Sequence, residues 1–224
     1  MKPLDKENFH KNILYVDNHI LVVIKEANIP TQKSDNISNN FSLSSLEDLA
    51  KEFIKQKFNK KAKVFLHPIH RLDKNVTGIV IFARTSKALS RLNEQMREKK
   101  IIRKYLAEVE GKLSQKKARL TDYIVHLSHR AKIVKKEHKN AKLAILNYEV
   151  IKEKRDSSIV EIELITGRYH QIRAQFSNLG HPIVGDRKYL AKKDLNKIHL
   201  SCFYIEFSHP VSKKVMEFQI KPSF

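Results

Sequence analysis

The run Gly78-Ile79-Val80-Ile81-Phe82-Ala83 constrains this chain more than any other segment. It is too short for a helix and lacks the alternation of a strand with one wet face, so it predicts a strand covered on both sides. Covering two faces takes further strands and helices, and the sequence offers both. Ile13-Leu14-Tyr15-Val16 and Ile20-Leu21-Val22-Val23-Ile24, separated by Asp17-Asn18-His19, read as an opening hairpin. The spacing of Ser44-Ser45-Leu46-Glu47 is that of a capping box. Leu46, Leu49, Phe53 and Ile54 recur behind it at helical intervals, predicting a helix over about 44–57. Ser86 is read as the cap of a second helix with Leu89, Leu92 and Met96 on one face, ending near Lys99-Lys100. Val64-Phe65-Leu66 leads into the polar piece 67–77, which is then a loop held between core elements.

Ile102 to Val109 alternates as a half-buried strand and stops at Gly111. Residues 112–140 are basic and only partly periodic, with short strand candidates at 119–125 and 131–134, and predict an exposed, mobile stretch. Longer β runs follow at 143–151 and 158–165. His170 to Leu179 reads as a helix with Ile172, Phe176 and Leu179 on one side, His170, Arg173 and Ser177 on the other, and Gly180 as its C-terminal cap. Strands at 198–207 and 215–220 complete the pattern. The Asn- and Ser-rich residues 28–41 read as a loop. With no repeat, low-complexity tract or Pro/Gly linker, the expectation is one α+β domain over 1–224 with its core at about 10–221.

Charge narrows the partner. The chain of 224 residues carries a net +20, of which +10 falls in residues 51–100 and +7 in 101–150. A positive field concentrated on one stretch of a folded chain suits a polyanion. A single cysteine, Cys202, lies in an apolar run and reads as a buried thiol. The first residues have no signal or transit character, and no apolar run reaches membrane-spanning length, so a cytoplasmic protein away from the membrane is expected.

Several chemistries are poorly supported. Gly180 and Gly185 have phosphate-loop spacing, but Asp186-Arg187 follows where Lys-Ser/Thr is needed, and Pro182 removes an amide donor. The pairs His67/His70 and His126/His129 come without clustered cysteines, so no metal site is expected. What remains is Asp73, between Arg71 and Lys74 beside the buried strand. A carboxylate flanked by cations stays ionised and can act as nucleophile or base, though it can equally pair with a neighbouring arginine or close a turn through Asn75. Arg168 and Arg173 can bind phosphate, or one can orient a carboxylate with its fork.

His70-Arg71-Leu72-Asp73 with Thr77-Gly78, then Arg103-Lys104-Tyr105-Leu106-Ala107, Gly167-Arg168-Tyr169-His170-Gln171-Ile172-Arg173 and Leu179-Gly180-His181-Pro182-Ile183-Val184-Gly185-Asp186, resemble in order the RluA-type pseudouridine synthases. The resemblance covers nearly the whole chain and implies a central, mostly antiparallel mixed sheet with flanking helices and loops. It implies isomerisation of uridine in rRNA or tRNA without cofactor, nucleotide or metal. Asp73 matches the catalytic aspartate, Tyr105 the tyrosine that stacks on the target base, and Arg173 the arginine paired with the aspartate. Arg71 matches the residue that enters the RNA when the base flips out, and Leu200 a hydrophobic residue near the base. RNA contacts are further expected at His70, Lys104, Arg168 and His170, and a monomer is expected. Lys25-Glu26-Ala27-Asn28 departs from the usual Lys-Pro-Ala-Gly, Thr77 from a commoner Ser, and Leu200-Ser201-Cys202 from Leu-His-Ala. Tyr169 stands where Thr is frequent. The rival expectation is a non-catalytic RNA-binding or ribosome-assembly protein of the same fold, and a base-removing glycosylase is a third.

Overall fold

The computed structural model describes residues 6–33, 44–193, 195, 197–222 and 224. The first residues and most of the Asn/Ser-rich loop lie outside them. Among the described residues, eleven strands and three α-helices form two compact units, one of Met1–Ile101 with Ile205–Ile220, the other of Ile102–Tyr204 with Lys221–Phe224.

In the first unit, β1 (Ile13–Val16) and β2 (Ile20–Lys25) form the expected hairpin. Its turn closes on the Asp17 carboxylate, whose Oδ1 accepts from the backbone N–H of both His19 and Ile20 at 2.8 Å. β3 (His67–Pro68) and β2 both pair with β4 (Thr77–Ala83), and the β2–β4 register runs from Ile20 opposite Ala83 to Lys25 opposite Gly78. The order continues to β10 (Leu200–Ser208), which pairs with β11 (Val215–Gln219). Ile79, Val80, Ile81, Phe82 and Ala83 are all fully buried, as a strand covered on both faces requires. Ile79 and Ile81 pack with Ile20, Val22, Leu92, Ile205 and Phe207 in one core.

Helix α1 (Leu46–Lys57) starts one residue later than the capping pattern suggested. Ser45 is the cap, its hydroxyl accepting from Asp48 N–H while the Asp48 carboxylate accepts from Ser45 N–H. Thr85 likewise caps α2 (Ser86–Arg97), so Ser86 is its first helical residue. In both cases adjacent hydroxyls compete for one cap, and the position of the apolar face decides between them.

In the second unit the strand order is β10, β5 (Ile102–Glu110), β9 (Ser157–Leu164), β8 (Lys142–Glu153), β6 (Lys117–His126) and β7 (Ala131–Val134). Every pairing from β5 to β7 is antiparallel. The basic stretch is thus sheet over more of its length than its sequence suggested, because β6 pairs with β8 from Lys117 to Ile124. Helix α3 (Gln171–Asn178) buries Phe176 and Ala174, but Leu179 lies outside the helix and is exposed. Glu108 on β5 is buried and ionised. Burial works against its charge, but hydrogen bonds from Ser157, His199 and Lys154 outweigh it and hold the carboxyl down to about 2. Glu108 N–H also donates to the His199 carbonyl, which fixes the start of β10. Among the described residues no helix is long and apolar enough to cross a membrane.

Candidate catalytic site

Two groups of side chains gather the residues singled out in the sequence, one in each unit. In the first unit, Asp73 sits on the loop between β3 and β4, and its carbonyl accepts from Val76 N–H at 3.0 Å. Both of its neighbours are anchored. Thr31 Oγ1 accepts from Leu72 N–H at 3.1 Å and donates to the Leu72 carbonyl at 2.8 Å. Lys25 Nζ donates to the carbonyl of Lys74 at 3.0 Å and to those of Ile29 and Glu26 at 2.8 Å. With residues 72 and 74 tied to separate parts of the unit, Asp73 has a fixed backbone while its side chain stays half-buried. Arg71, beside it, is exposed, and His70 is buried.

Lys25 is 0% exposed. Burial pushes its ammonium down to about 7, with the charges of Asp73 and Glu26 pulling the other way. Neither Lys25 nor Thr31 was identified from sequence. Two signals were available for Lys25, a lysine continuing the apolar run Ile20–Ile24 and its match to the lysine of the usual Lys-Pro-Ala-Gly. The Asn28 departure has a simple outcome, since Asn28 takes φ +67, a left-handed conformation that asparagine tolerates better than most residues and that suits the glycine usual there.

In the second unit, Arg173 (5% exposed) makes a two-pronged pair with Asp186 (1% exposed), Nε to Oδ2 at 2.6 Å and Nη2 to Oδ1 at 2.8 Å. Its Nη1 lies 2.9 Å from His170 Nε2, and His170 Nδ1 lies 3.0 Å from the Tyr189 hydroxyl. These contacts fix the tautomer. A guanidinium only donates, so Nε2 accepts and the imidazole proton is on Nδ1, donated to Tyr189. Tyr189 in turn accepts from Ala131 N–H and donates to the Ala131 carbonyl. A neutral His170 agrees with burial and the nearby charges of Arg173, Lys188 and His126, which together push it down to about 3. His170 caps α3 in a left-handed conformation, and the Arg173 guanidinium lies 5.0 Å from the centre of the Tyr189 ring.

The remaining predicted residues lie just before this helix or on the sheet. Arg168 is exposed, with Nε donating to the Leu143 carbonyl at 2.9 Å. Tyr105, 5% exposed, is on β5 opposite Ile162, and Leu200 is buried at the head of β10. Lys104 pairs with Glu161 at 3.0 Å. The sequence thus anticipates the contact of Arg173 with His170, which it put on one helix face, but not the bond of Arg168 to Leu143. It did not mark Asp186 or Tyr189 as their partners. Asp186 follows Gly185, whose φ is +84 and where a Cβ would lie 2.3 Å from the Lys197 carbonyl oxygen. That glycine is needed for the turn that delivers Asp186.

The chain is thus an α+β protein with a strongly cationic middle, an anchored carboxylate in one unit and a buried arginine fork in the other. Residues 19–178 match the RNA pseudouridylate synthase family, and the chain belongs to that family. It is 32% identical over 216 residues to the ribosomal large subunit pseudouridine synthase C of Buchnera aphidicola subsp. Baizongia pistaciae, covering 92% of this chain and 65% of that protein. The chain therefore spans just under two thirds of that relative's length. With the dual-specificity RNA pseudouridine synthase RluA of Haemophilus ducreyi it shares 29% identity over 221 residues, covering 94% and 93% of the two chains. The solved structure of human RNA pseudouridylate synthase domain containing 4 has the same fold, with a TM-score of 0.79 at 23% identity over 97% of this chain and 90% of that one.

Proposed function

We propose that this chain isomerises uridine in RNA to pseudouridine, with Asp73 as the catalytic carboxylate. The observation that carries the reading is the anchoring of Asp73 on both sides, by Thr31 through Leu72 and by Lys25 through Lys74, in a chain of this family. The reaction breaks N1–C1′, turns the uracil and forms C5–C1′. The proton leaving C5 is balanced by one gained at N1, so atoms and electrons balance within the substrate. A carboxylate of fixed position serves such a sequence as nucleophile or as base. Arg173 takes the part of the family's arginine, by resemblance the partner of that carboxylate.

Chemistry on a base requires that it leave its stack. Arg71, exposed next to Asp73, enters the RNA in its place, Tyr105 stacks on the flipped uracil, and Leu200 packs near it. His70, Lys104 and Arg168 contact neighbouring RNA, the buried His170 serves only as support beneath Tyr169, and the cationic middle of the chain supplies phosphate attraction. The substrate is rRNA or tRNA, and the protein acts as a cytoplasmic monomer.

RNA carrying uridine tritiated at C5 tests this directly, because isomerisation releases the label to water. The intact chain is expected to release it from rRNA or tRNA. Asp73→Asn is expected to bind the same RNA within about threefold and release none. Release by Asp73→Asn would refute the role of Asp73. Tight binding of both RNAs by the intact chain with no release would make this a binding protein.

A further inference from the structure

Tyr169 belongs to the Gly167–Arg173 segment, yet the function above gives it no task. It is 36% exposed, and its ring lies flat on that of His170, with centroids 3.8 Å apart and planes within 17°. His170 is itself immobilised by Arg173 and Tyr189, so Tyr169 rests on a rigid floor. A third ring joins the stack. His126, exposed at the end of β6, has its centroid 4.1 Å from that of Tyr169 at a tilt of 40°. The stack thus runs from the buried His170 to the surface.

Its exposed end is cationic. Beyond His126 the chain turns through Leu127 and Arg130, where Leu127 N–H donates to the Arg130 carbonyl at 2.8 Å, and Arg130 is exposed. Lys188 reaches the same turn, Nζ donating to the His129 carbonyl at 3.0 Å, and the exposed Arg168 directly precedes Tyr169. Rigid aromatic rings open to solvent at one end and ringed by Arg and Lys are the elements with which proteins hold unpaired nucleotides: the rings stack on a base and the cations take the flanking phosphates.

We propose that Tyr169 and His126 form an accessory platform on which an unpaired base of the RNA stacks. The assignment rests on RNA being the substrate, and it follows from the ring geometry of this chain. Tyr169 is a positioning residue here: it adds affinity and register for the strand that carries the target uridine, while Asp73 and Arg173 act on the target itself.

The test is a binding measurement free of turnover. The probe is a 12-nucleotide unstructured RNA of adenosine and cytidine with one 2-aminopurine, without uridine, titrated with the full chain. Stacking on the platform is expected to quench the 2-aminopurine. Tyr169→Thr is expected to lose the quench and to weaken binding about 5- to 150-fold, the range of a base–aromatic stack of ~1–3 kcal/mol. Tyr169→Phe keeps the ring and is expected to keep both, and His126→Ala is expected to reduce the quench. Equal quench and affinity in Tyr169→Thr and the intact chain would overturn the proposal, as would a Tyr169→Phe chain as impaired as Tyr169→Thr with an unchanged melting curve. On uridine-containing RNA, Tyr169→Thr is expected to raise KM and leave kcat within about twofold. A fall in kcat at unchanged KM would mean that Tyr169 acts on the site through His170, and the platform would be refuted. An intact chain that quenches the probe but never releases tritium refutes the isomerase reading alone.

Discussion

Replacing Asp186 by alanine takes away both oxygens that receive Nε and Nη2 of Arg173, at 2.6 and 2.8 Å, while the arginine remains in a site that exposes 5% of it. Breaking a buried ion pair by deleting one partner costs about 3–5 kcal/mol, because the remaining charge loses its compensation without regaining water. The bond from Nη1 to His170 and the 5.0 Å placement over Tyr189 depend on the same guanidinium orientation, so the upper part of the range applies. For a chain of this size each kcal/mol lowers the melting temperature by about 2–4 °C, so a loss of about 4–5 kcal/mol should make Asp186→Ala melt about 8–20 °C below the intact chain. Urea unfolding followed by far-ultraviolet circular dichroism, with linear extrapolation, gives the free energy directly. Asp186→Asn keeps the shape and one carbonyl acceptor and should lie between the two. The double variant Arg173→Met/Asp186→Leu, which removes the charges together, should recover most of the loss, and the cycle should give a coupling above about 2 kcal/mol. A loss below about 1 kcal/mol in Asp186→Ala, or a double variant worse than the single, would refute the idea that this pair anchors the arginine.

Other outcomes follow from single contacts. Gly185→Ala should cost more than about 2 kcal/mol in urea unfolding, since its Cβ would meet the Lys197 carbonyl oxygen, whereas Gly180→Ala, also at positive φ but with nothing within 4 Å, should cost only about 1–2 kcal/mol. Lys25 titrates near 7 in the folded chain against 10.5 in the unfolded one. The unfolded state therefore binds more protons between those values, and this group adds stability as pH rises from 7 toward 10.5, by no more than about 5 kcal/mol. The intact chain should gain on Lys25→Met across pH 6, 8 and 10, and parallel stability curves would contradict the assignment. Arg71→Ala should reduce tritium release from folded RNA at least tenfold more than from a flexible single strand, because extrusion from a stacked helix costs more; equal losses would remove the case for Arg71 as the inserted residue.

The fold was legible where a face had to be dry. The run 78–83, the hairpin before it and the Leu92 face of α2 each showed a periodicity that only burial explains, and each became part of one core. In β6 the alternation of exposed Lys117, Arg119 and Thr121 with half-covered Ala118 and Leu120 was present but diluted by lysine, so a long strand looked like an irregular arm. The site was legible as motifs and illegible as partnerships. Asp73 and Arg173 lie in recognisable segments, but what holds them is a lysine 48 positions before one and an aspartate 13 positions after the other, and no local pattern signals a bond across such a span. Lys25 was the hardest case, since a lysine is read by default as a surface residue.

The closing strands have a bearing on synthesis. Ile205 and Phe207 fill the same core as Ile79 and Ile81, Gln95 bonds the backbone of Ser208 through both ends of its amide, and His209 bonds Asp17 at 2.9 Å. The first unit, although it contains Asp73 and the first hundred residues, cannot complete its core until the 103 residues of 102–204 have left the ribosome. At about 5–20 residues per second that is a wait of roughly 5–20 s during which a fully apolar strand edge has no neighbour, whereas the second unit has nearly all of its sheet as soon as it emerges. Demand for chaperones during translation should therefore fall on the amino-terminal part of the chain, and clipping the last twenty residues should leave it unfolded.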